Sequence, residues 1–308
     1  MSLANNKLYS SSFPLVQLFA SLSALFSTIH PLIGLVILRI PIILADFVII
    51  KFLIKLLDKL NLSYSGLLIY ALNPLVIIGL TGNINFIGLM LCFFVVGVYF
   101  IIHNKWINAI FFFTLSAASS IFPFLLIPLV FKKLKIAKSI VFILLMIVLF
   151  SMFWIPFYHE NFFASILNNV NSNFNTLQNN FGLINVFDWF TGDSKIILPT
   201  IFIVALVSIS ISRASDWISI LKGMMFCLTA FILLNFKIEP NYFVLLIFLS
   251  VLVQEYHYAI VWSFIAMLNY SIFAPFLAIH YWIMPVEYSI LLMLFLLELF
   301  GKFKNLSE

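Results

Sequence analysis

The chain has 308 residues, of which 64% are hydrophobic and only 9% charged. A soluble domain carries about 25% charged residues, so this chain cannot cover a water-facing surface. Its formal charge of +5 sits in short connectors without interleaved aromatics, which argues against a nucleic-acid groove and fits the basic bias of cytoplasmic loops.

Apolar runs recur from end to end, the signature of an all-α, polytopic transmembrane bundle of about 10–12 spans. No composition shift or internal repeat divides it, so residues 1–308 read as a single membrane domain. The first dozen residues lack a basic segment followed by an apolar core, so no cleavable signal peptide is expected. A first helix is expected at 14–29 and a second at 31–57. The second carries Arg39 and Asp46, seven residues apart and so on the same face. A carboxylate there costs a few kcal/mol unless paired or hydrated, on the order of 2.5–3.5. The expectation is a buried polar anchor lining a lipid-phosphate cavity, with Arg39 as the natural partner of Asp46; the structural alternative is an Asp46 hydrogen-bonded to a neighbouring helix or simply neutral.

The third helix, 64–80, contains the pair Asn73-Pro74. After it comes an uncharged break, Thr81-Gly82-Asn83-Ile84-Asn85, before an apolar helix at 84–102. The amides of Asn83 and Asn85 supply donors and acceptors that can orient a sugar or phosphate but cannot remove a proton. The next interval is long enough for one tilted span. However, "SAASSIFP" (116–123) places small and hydroxyl residues before Pro123, which lacks a backbone donor. Two short antiparallel helices are therefore expected, 106–118 and 121–131, with Ser120 at the bend. Lys105 and the cluster "KKLKIAK" (132–138) then lie on the same side, taken as cytoplasmic together with Lys55, Lys59, Arg213, Lys222 and "KFK" at 302–304.

A helix at 137–157 leads into a long interval, about 158–195, expected outside. It opens with His159 and Glu160, and it holds Asp188 between Phe187, Trp189 and Phe190. A solvated pair and an interfacial anchor are the plain readings; proton transfer and a sugar-stacking site are the functional ones. Further helices are expected at 196–212, 217–235, 241–254, 257–281 and 284–300. Glu239, Asn241 and Tyr242 cluster with Pro240 at the outer mouth of one of them, where Glu239 either binds substrate or forms a solvated pair with Lys237. Cys92 and Cys227 fall in apolar runs and read as small core residues. Cofactor motifs are lacking: no phosphate-binding Gly-rich loop and no His/Cys ligand spacing.

Four blocks in this order resemble polytopic glycosyltransferases of the GT-C type, closest to the GPI-anchor mannosyltransferase group. They are "GLVILRIPIILADFVIIKFLIKLL" (34–57), "LLIYALNPLVIIGLTGNINFIGLMLCFFVVGVYF" (67–100), "AIFFFTLSAASSIFPFLLIPLVF" (109–131) and "KIEPNYFVLLIFL" (237–249). The resemblance implies transfer of a hexose, mannose by expectation, from a polyprenyl-phosphate sugar to an acceptor on the non-cytoplasmic side. It implies substrate-binding roles for Asn73, Thr81, Asn83, Asn85, Ser120, Asn241 and Tyr242. It also implies a first-loop carboxylate as general base. The chain departs from the pattern there. Thr81 stands for a basic residue, Asn85 for an acid, Ser120 for a lysine and Asn241 for a glutamine, and no Asp or Glu precedes Asp46. Either the missing acid belongs to an upstream segment, or the chain is a degenerate scaffold acting as a non-catalytic subunit. Glu239, Glu160 and Asp188 are the remaining candidates for a catalytic acid. Midplane Arg39 and Asp46 keep a transporter as a third reading. Expected partners are membrane lipids, the lipid-linked sugar and a partner membrane subunit. High Ile, Phe, Asn and Lys favour a prokaryotic plasma membrane over the endoplasmic reticulum.

Overall fold

The computed structural model describes residues 13–120, 122–158, 216–234, 241–254 and 257–268, together with Ser289 and Met293. These residues are helical throughout apart from short turns, with no strand among them. In chain order the helices are α1 (Pro14–Ser27), α2 (Pro31–Leu60), α3 (Ser65–Ala71), α4 (Pro74–Val76), α5 (Ile87–Ile102), α6 (Trp106–Ala117), α7 (Phe122–Val130), α8 (Ile136–Trp154), α9 (Trp217–Leu234), α10 (Tyr242–Val253) and α11 (His257–Leu268). The expected elements at 196–212 and 284–300, and the interval 159–195, lie outside the described residues.

Three stretches are long and apolar enough to cross a membrane: Pro31–Leu60, Ser65–Gly82 and Ile136–Phe157. Their outer faces fit that reading. Leu35, Leu44 and Phe47 on α2, and Leu144, Ile147 and Val148 on α8, are exposed, which suits contact with acyl chains rather than water. The helices beneath are enclosed. Every residue of α10 from Phe243 to Val253 is buried, as expected of a helix that is apolar all round.

Small residues set the closest approaches. A Cβ on Gly97 of α5 would lie 2.9 Å from ring carbons of Phe113 on α6, and one on Gly66 of α3 would lie 2.9 Å from Val251 of α10. Both pairs of helices pack against each other. Helix starts follow local chemistry as well. The Asn73 side chain accepts from the Leu75 amide and so caps α4. Asp216 caps α9 through the Ser219 amide and hydroxyl, at 3.0 and 2.7 Å.

The hairpin expected at 106–131 is present. α6 ends at Ala117 and α7 begins at Phe122, where Pro123 is harmless because the first-turn amides have no helical acceptor. The chain then returns. Trp106, at the start of α6, and Lys133, just past α7, line the same cavity. Lys105 and Lys132 therefore share one end of the bundle, as the charge parity required. At that end Lys55 lies 4.9 Å from the Phe52 ring centroid, and Gln254 donates to the carbonyl of Ser63.

Candidate functional site

The opposite end holds the uncharged break. The helix does not stop at Thr81: α4 continues as a π-helix, Ile77–Gly82. Asn83 donates its amide to the carbonyl of Ile78, and Asn85 to that of Leu80, each spanning five residues. Ile84 follows with φ 52°, a left-handed conformation that β-branched residues rarely adopt. A π-turn and a left-handed β-branched residue side by side set this segment apart from the regular helices around it, and such irregularities cluster at functional sites.

Arg39 of α2 meets this segment. Its guanidinium donates to the carbonyl of Gly82 at 3.5 Å, long for a hydrogen bond, and the side chain is exposed. Most of its five donors have no partner among the described residues. They are available to an anion.

The expected Arg39–Asp46 pair is corrected. Two helical turns separate the residues by about 10.5 Å, and each has a nearer partner. Asp46 accepts instead from the hydroxyl of Tyr70 at 3.2 Å, a fully buried residue near the end of α3. Asp46 is thus an interhelical anchor, the alternative reading of that residue. Tyr70 went unnoticed in the sequence, where nothing marks which neighbouring helix faces Asp46.

Among the proposed binding residues, the side chains divide by what they already hold. Asn73 is buried; besides capping α4 it donates to the Ser263 hydroxyl of α11 at 2.9 Å. Thr81 donates to the Ile77 carbonyl, and the Asn85 oxygen accepts from the Ile87 amide at the start of α5. Ser120 is buried at the bend, where its amide donates to Ser116. Asn241 is buried, and the Tyr242 ring packs edge-on to Phe122 with centroids 4.7 Å apart.

One helix ties the irregular segments together. On α1, Leu15 donates its amide to the carbonyl of Ala118 in the bend, and one turn later Phe19 packs on Phe86 beside Asn85. The π-turn, the Ser120 bend and the Tyr242 helix start consequently share one end of the bundle. Asn73 lies deeper and belongs to the core.

Carboxylates are distributed differently. The acids among the described residues are Asp46, Asp58 and Asp216. Asp58 accepts from the Tyr64 hydroxyl near the basic end, and this contact raises the Tyr64 phenol above its ordinary range. Asp216 is held below the usual carboxylate range by the Ser219 hydroxyl and then its amide. Burial pulls the nearby Lys132 ammonium down. The three candidate acids Glu160, Asp188 and Glu239 lie outside the described residues. No group of His, Cys, Asp and Glu suited to a metal ion occurs among the described residues.

Residues 11–134 match the family model described as alpha-(1->6)-mannopyranosyltransferase, N-terminal domain. The match runs from α1 to the connector after α7 and contains Arg39, Asp46, Asn73, the π-turn and Ser120. It supports a mannosyltransferase, and the apolar helices support a membrane protein. No curated protein sequence and no solved structure matches the chain.

Proposed function

We propose that this chain is a GT-C-type, multi-pass mannosyltransferase that uses a polyprenyl-phosphate mannose and acts at the non-cytoplasmic face. One observation carries the reading: the exposed guanidinium of Arg39 stands against the π-turn, inside the region matched by a mannosyltransferase family. A glycosyl transfer from a lipid phosphate develops negative charge on the departing phosphate, and a fixed guanidinium offsets that charge where it appears. Arg39 therefore takes the role that the GT-C resemblance gives to a basic residue at position 81.

In the reaction, a carboxylate removes the proton of the acceptor hydroxyl. The acceptor oxygen bonds to the anomeric carbon, the bond from that carbon to the phosphate oxygen breaks, and polyprenyl phosphate leaves with the electron pair. Glu239 is our first choice of base, since it lies two and three residues before Asn241 and Tyr242, which start α10 at the same end as the π-turn. Glu160 and Asp188 are the alternatives. The matched family suggests an α-1,6 linkage, and the shared theme with the GPI-anchor group is mannosyl transfer. Composition favours a prokaryotic plasma membrane.

A second reading rests on the side chains already engaged. Thr81 and Asn85 satisfy backbone groups of their own turn and Asn73 is locked into the core, as in a degenerate scaffold that supports an active partner subunit. The test is transfer from polyprenyl-phosphate [14C]mannose by protein reconstituted in lipid. Arg39→Ala is expected to lower kcat/KM by about a hundredfold, with partial recovery in Arg39→Lys. Glu239→Gln should abolish turnover while Asp188→Asn leaves it. No transfer by the wild type, with activity appearing when a partner subunit is co-purified, selects the scaffold reading.

A further inference from the structure

The basic end contains a cavity of about 410 Å³ lined by Asn104, Trp106, Lys133, Lys135, Lys138 and Trp217. It is remote from the π-turn and has no part in the transferase reading. The three lysines are exposed and bring three ammonium groups around one space. Lys133 lies 5.5 Å from the Trp217 ring centroid, and Asp216 stands close enough to feel its charge. That carboxylate offsets one ammonium and leaves Lys135 and Lys138 without partners among the described residues.

A second cavity, of about 360 Å³, opens between α7 and α8 and is lined by apolar side chains, among them Phe124, Ile127, Phe131, Met146, Ile147 and Phe150. The two spaces flank one connector: Phe131 lines the apolar one, and Lys133 two residues on lines the basic one. Along α8 the same order holds, lysines first and apolar lining afterwards. From Lys138 to Phe150 the helix advances about 18 Å, close to the ~15 Å depth of one leaflet's hydrocarbon. The pair thus has a charged head and an oily stem in the order and at the scale of a membrane lipid.

We propose that these two cavities together form a binding site for one anionic phospholipid of the cytoplasmic leaflet. Its phosphate sits among Lys133, Lys135, Lys138 and Asn104, and an acyl chain lies in the α7–α8 groove. Basic pockets between helices on the cytoplasmic side recognise anionic headgroups, and Trp106 and Trp217 suit the headgroup level. A zwitterionic headgroup, whose phosphate comes with its own cation, gains less from three clustered ammonium groups than an anionic one.

The test is native mass spectrometry of the full chain purified with phosphatidylglycerol or phosphatidylcholine, alongside thermal unfolding in detergent. Phosphatidylglycerol should survive delipidation and phosphatidylcholine should not. Lys135→Gln and Lys138→Gln should each weaken retention by about fivefold. Both side chains are exposed, so an unchanged circular dichroism spectrum is expected. Ile147→Trp, which fills the groove, should reduce phosphatidylglycerol retention yet leave any stabilisation by inorganic phosphate as it was. Equal retention of the two lipids overturns the proposal, as does retention unaffected by both lysine changes. Stabilisation by inorganic phosphate that matches phosphatidylglycerol at equal concentration assigns the site to a free anion and overturns the lipid.

Discussion

Tyr70 and Asp46 join α3 to α2 through a hydrogen bond of 3.2 Å, and Tyr70 is fully enclosed. In an apolar surround the loss of one partner costs more than the bond itself is worth, because the other polar group keeps its desolvation. Tyr70→Phe should therefore destabilise the protein by about 1–3 kcal/mol in thermal unfolding in detergent. Asp46→Asn, whose amide oxygen still accepts, should lose less. Turnover by folded Asp46→Asn should match the wild type; a fall in kcat at unchanged stability would instead place Asp46 in the reaction.

Asn73 performs two structural tasks at once, capping α4 and holding Ser263 of α11. Loss of the cap alone costs about 1 kcal/mol, and loss of the second bond about as much again. Asn73→Ala should lower stability by roughly 2 kcal/mol. Asn73→Ser, a neutral residue whose hydroxyl can still accept from the Leu75 amide, should recover part of it. The KM for the lipid-linked sugar should stay unchanged in the folded fraction of both variants, since this side chain is buried away from the π-turn.

Two glycines should behave oppositely when changed to alanine. At Gly97 the new methyl would meet the buried Phe113 ring at 2.9 Å, and that ring has no room to retreat. Overpacking of this kind costs about 1–3 kcal/mol. At Gly82 the nearest atom would be 3.6 Å away, an ordinary contact. Gly82→Ala should change stability by no more than about 0.5 kcal/mol. Any loss of transfer activity in that variant then reports on substrate approach to the turn rather than on folding.

Asp216 provides a pH dependence with a defined sign. Its folded carboxyl sits below the usual range because Ser219 donates to it twice. The unfolded chain therefore binds the proton more readily, and the cap contributes fully above the unfolded pKa of about 3.9. The contribution falls away as pH drops from there through the lower folded value. Asp216→Asn should be less stable than the wild type by up to about 1 kcal/mol at pH 7, a modest figure because the site is exposed. The gap between the two melting curves should close as the pH is taken down to about 3.

Helix positions were legible in the sequence where a long apolar run met a breaker at its end. Pro31 and the small residues before Pro123 each mark a real boundary, whereas the stretch read as one helix at 64–80 is split at Asn73-Pro74, and Pro41 and Pro128 sit inside helices held by their neighbours. Lys105 and Lys132 were also informative, since a charge-parity argument needs only the order of connectors. Partners across helices were not legible. Arg39 looked like the mate of Asp46 because both lie on one helix face, yet Tyr70 and the Gly82 carbonyl are nearer in space. Asn73 and Ser263, separated by 190 residues, carry no local signal of their pairing. The π-turn was hidden for a different reason: the sequence period of Ile77–Gly82 is compatible with ordinary winding, and only the hydrogen-bond offsets distinguish the two.

Those offsets make chain length, rather than residue identity, the control on the Arg39 contact. A turn closed over five residues holds one residue more than a turn closed over four. It has therefore absorbed its extra residue already, and one alanine inserted after Ile78 should swing everything beyond it by about 100°. The Gly82 oxygen would then face away from the guanidinium, although no residue touching Arg39 had been altered. An inserted codon in this short stretch is accordingly a sharper instrument for detaching the Gly82 carbonyl from Arg39 than a substitution within it.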